Sequence, residues 1–140
     1  MFNALADMYH DLEMQGITIF PCPMKGRKAI SDVEGFIGID YGKIENQREE
    51  VTALIHEEGH FNSGAFYVPY SPYLVKEQAE YRADKAAALK RVPLAELVEE
   101  MRRGFSVWEI AEHFNVEPSF IWRAYTIYRD NLGVNFEALA

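Results

Sequence analysis

The segment His56-Glu57-Glu58-Gly59-His60 constrains this chain more than any other: two imidazoles stand four residues apart, with a carboxylate directly after the first. On an α-helix, positions i and i+4 share one face about a turn apart, so both rings reach a common point and Glu57 stands at its edge. The flanking residues specify that helix. Asn46 is an N-cap residue, Glu49 three positions on completes a capping-box variant, and Glu49 and Glu50 bring negative charge to the positive end of the helix dipole. Val51, Leu54, Ile55 and Gly59 then recur at helical spacing, which predicts a helix over about 46–62.

Two histidines at this spacing are ligands in search of a third. A zinc ion that performs hydrolysis takes three protein ligands and keeps one position open. The H-x-x-G-x-x-H continuation that would supply a third histidine needs Gly at 63 and His at 66, where the chain has Ser63 and Phe66. A glutamate from a second helix is the remaining common solution, and Glu80-Tyr81-Arg82-Ala83-Asp84 offers one. Ser71 as N-cap, Pro72 at the first helical position and an Ala-, Lys-, Glu- and Leu-rich run from Leu74 to Arg91 predict that helix. On it Glu77, Glu80 and Asp84 share a face, while Ala79, Ala83, Ala86 and Ala87 permit close packing. Glu80 is then the third metal ligand, and Asp84 the carboxylate that orients a ligand imidazole. An exposed acidic stripe paired with Lys76, Arg82 and Lys85 is the competing account of the same residues.

His-Glu-Glu-Gly-His, the Glu-x-x-Ala-Asp of the next helix, the run Ala86-Ala87-Ala88-Leu89 and the following Pro93 resemble the ImmA/IrrE family of metallopeptidases. The resemblance covers roughly residues 1–95 well and the remainder more loosely. It implies a cytoplasmic, zinc-dependent endopeptidase with a zincin-like core. In it His56, His60 and Glu80 bind Zn²⁺ and Glu57 is the catalytic base. The implied substrate is a helix-turn-helix transcriptional repressor of a phage or other mobile element. Ala86 departs from the family, which commonly has a large apolar or aromatic residue there. A catalytically silent repressor- or DNA-binding regulatory protein is the alternative from a different class.

Composition restricts the setting. At 140 residues and 49% hydrophobic, the chain can bury one core without disulfides, and its single cysteine fits a reducing compartment. Residues 1–15 have no basic lead or long apolar run; Phe2, Leu5, Tyr9 and Leu12 instead form a helical stripe, so no targeting signal is expected. No stretch approaches the length of a membrane span. A net charge of −8 opposes general nucleic-acid binding and permits a basic protein partner.

Between the first helix and the histidine helix the periodicity is that of strands. Ile17–Phe20 alternates, and Arg27–Ser31 is expected to pair with Phe36–Tyr41 as an antiparallel hairpin across the turn 32–35. Phe36–Tyr41 is the candidate edge strand for an extended substrate, with Gly38 allowing close approach. Cys22, between two prolines, is a conceivable thiolate latch on the metal, although a small buried residue is the plainer reading. Phe66, Tyr67, Tyr70 and Tyr73 form a stiff aromatic loop in which a tyrosine hydroxyl is a candidate oxyanion donor, as are His10 and His113. The fold class read from these signals is α+β, mostly helical, in two parts: a core over 1–93 and a helix-turn-helix-like subdomain of three helices over 94–140, packed on it. Four arginines there face eight acidic residues, and the second helix of the pair offers only Ser119 and Trp122 to a groove, so docking of protein is expected rather than of DNA.

Overall fold

A computed structural model describes residues 2–139 as an α+β protein with seven α-helices and one three-stranded sheet. Helix α1 (Leu5–Met14) buries Met8 and Leu12 and ends where the chain turns at Gln15 and Gly16. Strands β1 (Thr18–Pro21), β2 (Ala29–Asp32) and β3 (Phe36–Ile39) follow, then α2 (Gln47–Ser63) and α3 (Tyr73–Arg91). Asn46 caps α2 as its sequence requires, with Oδ1 accepting from the Glu49 amide at 2.9 Å. Ser71 does not cap α3: its hydroxyl accepts from the Val68 amide in the preceding turn, and Pro72 occupies the cap position. The sharp turn at 68–71 therefore uses the hydroxyl one step before the helix begins.

The sheet corrects the expected topology. β2 and β3 are antiparallel, with Ile30 opposite Gly38, but β1 also pairs with β3, in parallel, so the order is β1-β3-β2 and the sheet is mixed. Phe36–Ile39 is thus the central strand and not an edge. Its alternating residues explain the placement: Ile37 and Ile39 are fully buried against the helices, which favours pairing on both sides. The exposed edge beside the histidine helix is β2, whose Ser31 hydroxyl reaches α2.

Beyond Pro93 come α4 (Leu94–Arg102), α5 (Val107–Phe114) and α6 (Pro118–Thr126), as three expected helices, followed by a π-helical extension Ile127–Asn131 and a last short helix α7 (Phe136–Leu139). Ser106 opens α5 with a reciprocal capping box to Glu109. These helices share one core with the N-terminal part: Met8, Leu12, Leu54 and Ile55 belong to the same buried cluster as Ile110, Phe114, Ile121 and Ile127. Among the described residues no helix is long and apolar enough to cross a membrane.

Candidate metal centre

α2 and α3 approach each other more closely than side chains ordinarily allow. A Cβ built on Gly59 would lie 2.1 Å from the Ala83 carbonyl oxygen, so only glycine fits at this crossing. Gly59 immediately precedes His60, and Ala83 lies between Glu80 and Asp84, so the contact sets the ligand-bearing faces against each other. Glu58, on the far side of the same helix turn, is fully buried and takes a two-pronged ion pair from Arg91 of α3 (Nε to Oε1 2.7 Å, Nη2 to Oε2 2.5 Å). Gln15 and Lys90 complete the shell of Glu58, and Arg91 also reaches Asp11 of α1. The second x of H-E-x-x-H and the first are therefore structural: one removes bulk, the other pins α1, α2 and α3 together.

His56, His60 and Glu80 converge at this junction, their ligating atoms all within 4.8 Å of one another. The His56 Nε2 lies 2.7 Å from Glu80 Oε2, and the His60 Nε2 lies 3.4 Å from Glu80 Oε1. The rings stand perpendicular with centroids 4.9 Å apart. Each Nδ1 is committed elsewhere: that of His56 lies 2.9 Å from Asp84 Oδ1, and that of His60 lies 2.5 Å from the carbonyl of Ala65. An ionised carboxylate and a carbonyl only accept, so both rings carry a proton on Nδ1, and Nε2, which faces Glu80, is the atom a metal would take in exchange for its proton. Gly64 makes the second of these bonds possible, since its left-handed φ of 68° turns the chain back so that Ala65 faces His60.

Two imidazole nitrogens and one carboxylate are the donor set that a zinc ion with an open position takes, at bonds of about 2.0–2.2 Å. The residues fit the ion. In its absence the same groups bind each other electrostatically. Burial disfavours the charged imidazolium of His56, but Asp84 and Glu80 outweigh it and push the ring up to about 10. His60 is raised in the same way, burial opposing and Glu80 and the Ala65 carbonyl prevailing. Burial works against the charge of Glu80 too, yet hydrogen bonds from His56, His60 and Tyr67 hold its carboxyl well below the usual range.

Glu57 lines the same cleft as His60, and the Ser31 hydroxyl on β2 donates to its Oε1 at 2.7 Å. Tyr67 donates to Glu80 Oε1 at 2.6 Å and receives a bond from Arg27 Nη2 at 2.5 Å. Arg123, from α6, donates to the second oxygen of Asp84 at 3.0 Å. Ser31, Arg27 and Arg123 are the site neighbours that spacing does not disclose, since each comes from an element distant in sequence. Other candidates lie elsewhere. Glu77 pairs with Tyr73. His113 faces Glu96 and Glu100, and His10 is exposed on α1. Cys22 packs against Gly38 and Ile30, on the face of the sheet opposite to Ser31, and does not join the ligand group. The sequence matches no family model and no curated protein.

Proposed function

We propose that this chain is a zinc-dependent endopeptidase of the ImmA/IrrE type, with a zincin-like core over residues 1–93 and a helix-turn-helix-like subdomain over 94–140. The observation that carries the reading is the convergence of His56 Nε2, His60 Nε2 and Glu80 from two helices, each imidazole fixed from behind, with Glu57 alongside. Zinc held there supplies a Lewis acid that polarises the scissile carbonyl and brings the acidity of water toward neutrality. Glu57 is the base: Ser31 holds its Oε1, leaving Oε2 to take the proton of the attacking water and pass it to the leaving amine. The free edge of β2 suits an extended peptide laid as an added strand, with its backbone running past Ser31 toward Glu57.

The substrate belonging to this reading is a helix-turn-helix repressor in the cytoplasm. Restriction to one protein requires docking, for which the acidic surface and the α5–α6 pair with its exposed Trp108 and Trp122 are available. The test is elemental analysis joined to a cleavage assay. His56→Ala and Glu80→Ala are expected to lose zinc, and Glu57→Gln to keep it while losing cleavage. Stoichiometric zinc in Glu80→Ala would remove the third ligand from the scheme. A wild-type protein that binds no zinc and cleaves nothing would instead favour the silent regulatory protein.

A further inference from the structure

Three cations line the cleft over the candidate metal centre in a chain that carries 22 acidic residues against 14 basic ones. Lys25 and Arg27 come from the loop between β1 and β2, and Lys76 from the first turns of α3. Elsewhere the same protein neutralises many of its cations: Lys28 with Glu49, Lys43 with Asp40, Arg103 with Glu99 and Arg129 with Asp130. None of the three cleft cations has a carboxylate within ion-pair distance among the described residues. Arg27 donates to the Tyr67 hydroxyl and Lys76 to the Pro69 carbonyl at 2.6 Å, contacts that hold the side chains in place without cancelling their charge. Glu57 is the single carboxylate in the lining, and the walls between the cations include Ile30 and Phe66. A concave site with apolar walls focuses the field of uncompensated charges onto whatever enters it.

We infer that this cleft selects a peptide carboxylate close to the scissile bond, held by Lys25, Arg27 and Lys76. The inference rests on the peptidase reading for its substrate class. The carboxylate is an internal Asp or Glu, as the endopeptidase reading has it, or the free end of the chain, which would make the enzyme a carboxypeptidase instead; both present the same anion to the same cations. An extended segment added along β2 would carry alternate side chains toward this rim.

The test uses the full-length Glu57→Gln protein loaded with zinc, immobilised and exposed to a randomised library of short peptides. One arm has amidated C-termini and a second has free carboxylates. Sequencing of captured peptides by mass spectrometry is expected to show Asp and Glu enriched roughly tenfold at one or two adjacent positions, or free termini enriched over amides. The preference should fall at high salt, as screened charge requires. It should also be lost in Lys25→Ala/Lys76→Ala, whose zinc content and circular dichroism report that it has folded. Capture with no preference for either carboxylate, or no capture, overturns the inference. If wild-type protein cleaves library members without any acidic preference, the inference fails and the peptidase reading stands. If acidic peptides are captured but wild-type protein binds no zinc and cleaves none of them, the peptidase reading fails and the carboxylate site stands.

Discussion

Arg123 donates its Nε–H to Asp84 at 3.0 Å, while the other oxygen of that carboxylate lies 2.9 Å from the His56 ring. A helix near the C-terminus is thereby joined to a candidate ligand on α2 through one side chain of α3. On the zinc reading, Asp84→Ala should weaken metal affinity about 10–100-fold, the usual effect of losing the partner of a ligand imidazole. Arg123→Ala should cost less, roughly threefold to tenfold, because it acts on the ring only through the carboxylate. The double variant should match Asp84→Ala alone, since the two substitutions break one chain of contacts. Competition titration against a chromophoric chelator measures all three, and strictly additive losses would show that Arg123 and Asp84 act separately.

Gly59→Ala is expected to be among the most damaging single substitutions in the molecule. The added methyl would meet backbone at 2.1 Å, which side-chain rotation cannot relieve, so α3 must move away. Overpacking of this kind costs about 1–3 kcal/mol or more, and displacement of α3 also carries Glu80 away from the histidines. Urea unfolding and zinc content should therefore fall together. A variant of ordinary stability with full zinc would mean that the helices have room to part.

The Glu58–Arg91 pair gives a test independent of any metal. Glu58→Gln leaves the buried guanidinium with only the half-exposed Asp11 as counter-charge, so its cost is expected to approach but not reach the about 3–5 kcal/mol of a fully unpaired buried charge, whereas replacing both Glu58 and Arg91 with apolar residues of similar volume should cost much less. The pair also fixes a pH dependence. Burial opposes ionisation of Glu58, but Arg91, Gln15 and Lys90 outweigh it and hold its carboxyl below the ordinary value of about 4.3. Its contribution to stability is fully present above that ordinary value and is lost as pH falls through the lower folded-state value. Denaturant midpoints measured down through the acid range should drop for wild type and drop less steeply for Glu58→Gln.

Deletion of everything after Arg103 is expected to yield an unfolded chain. Ile110, Phe114, Ile121 and Ile127 are buried in the cluster that holds Met8, Leu12 and Leu54, so the cut exposes half of a shared core and removes Arg123 as well. Loss of the cooperative melting transition is the readout; a folded, zinc-binding fragment would show that the C-terminal helices are separable.

How much of this was legible in the sequence depends on how far each signal reaches. The α2 boundaries followed from Asn46, Glu49 and the apolar stripe, because caps and helical spacing are local. The grouping of His56, His60, Glu80 and Asp84 also followed from spacing, since two helices joined by a short loop have few ways to face each other. Strand order did not follow: pairing of β1 with β3 is settled by burial of Ile37 and Ile39, and alternation alone cannot say which strand is central. Arg27 and Ser31 reach the site from β2 and the loop before it and Arg123 from α6, and their positions carry no local mark. Residue 93 marks the change of pattern at which the expected helical subdomain begins, and the apolar faces on either side of it close over one core.

His56 and His60 belong to one helix and Glu80 to another, so an ion bound to all three would act as a cross-link between α2 and α3. Binding of that kind exists only in the folded chain, and mass action then converts free-metal concentration into thermodynamic stability. At a concentration one hundred times the dissociation constant the gain is about 2.7 kcal/mol. The melting temperature of this protein would on that account be a gauge of the metal around it, and chelation would loosen the whole helical scaffold.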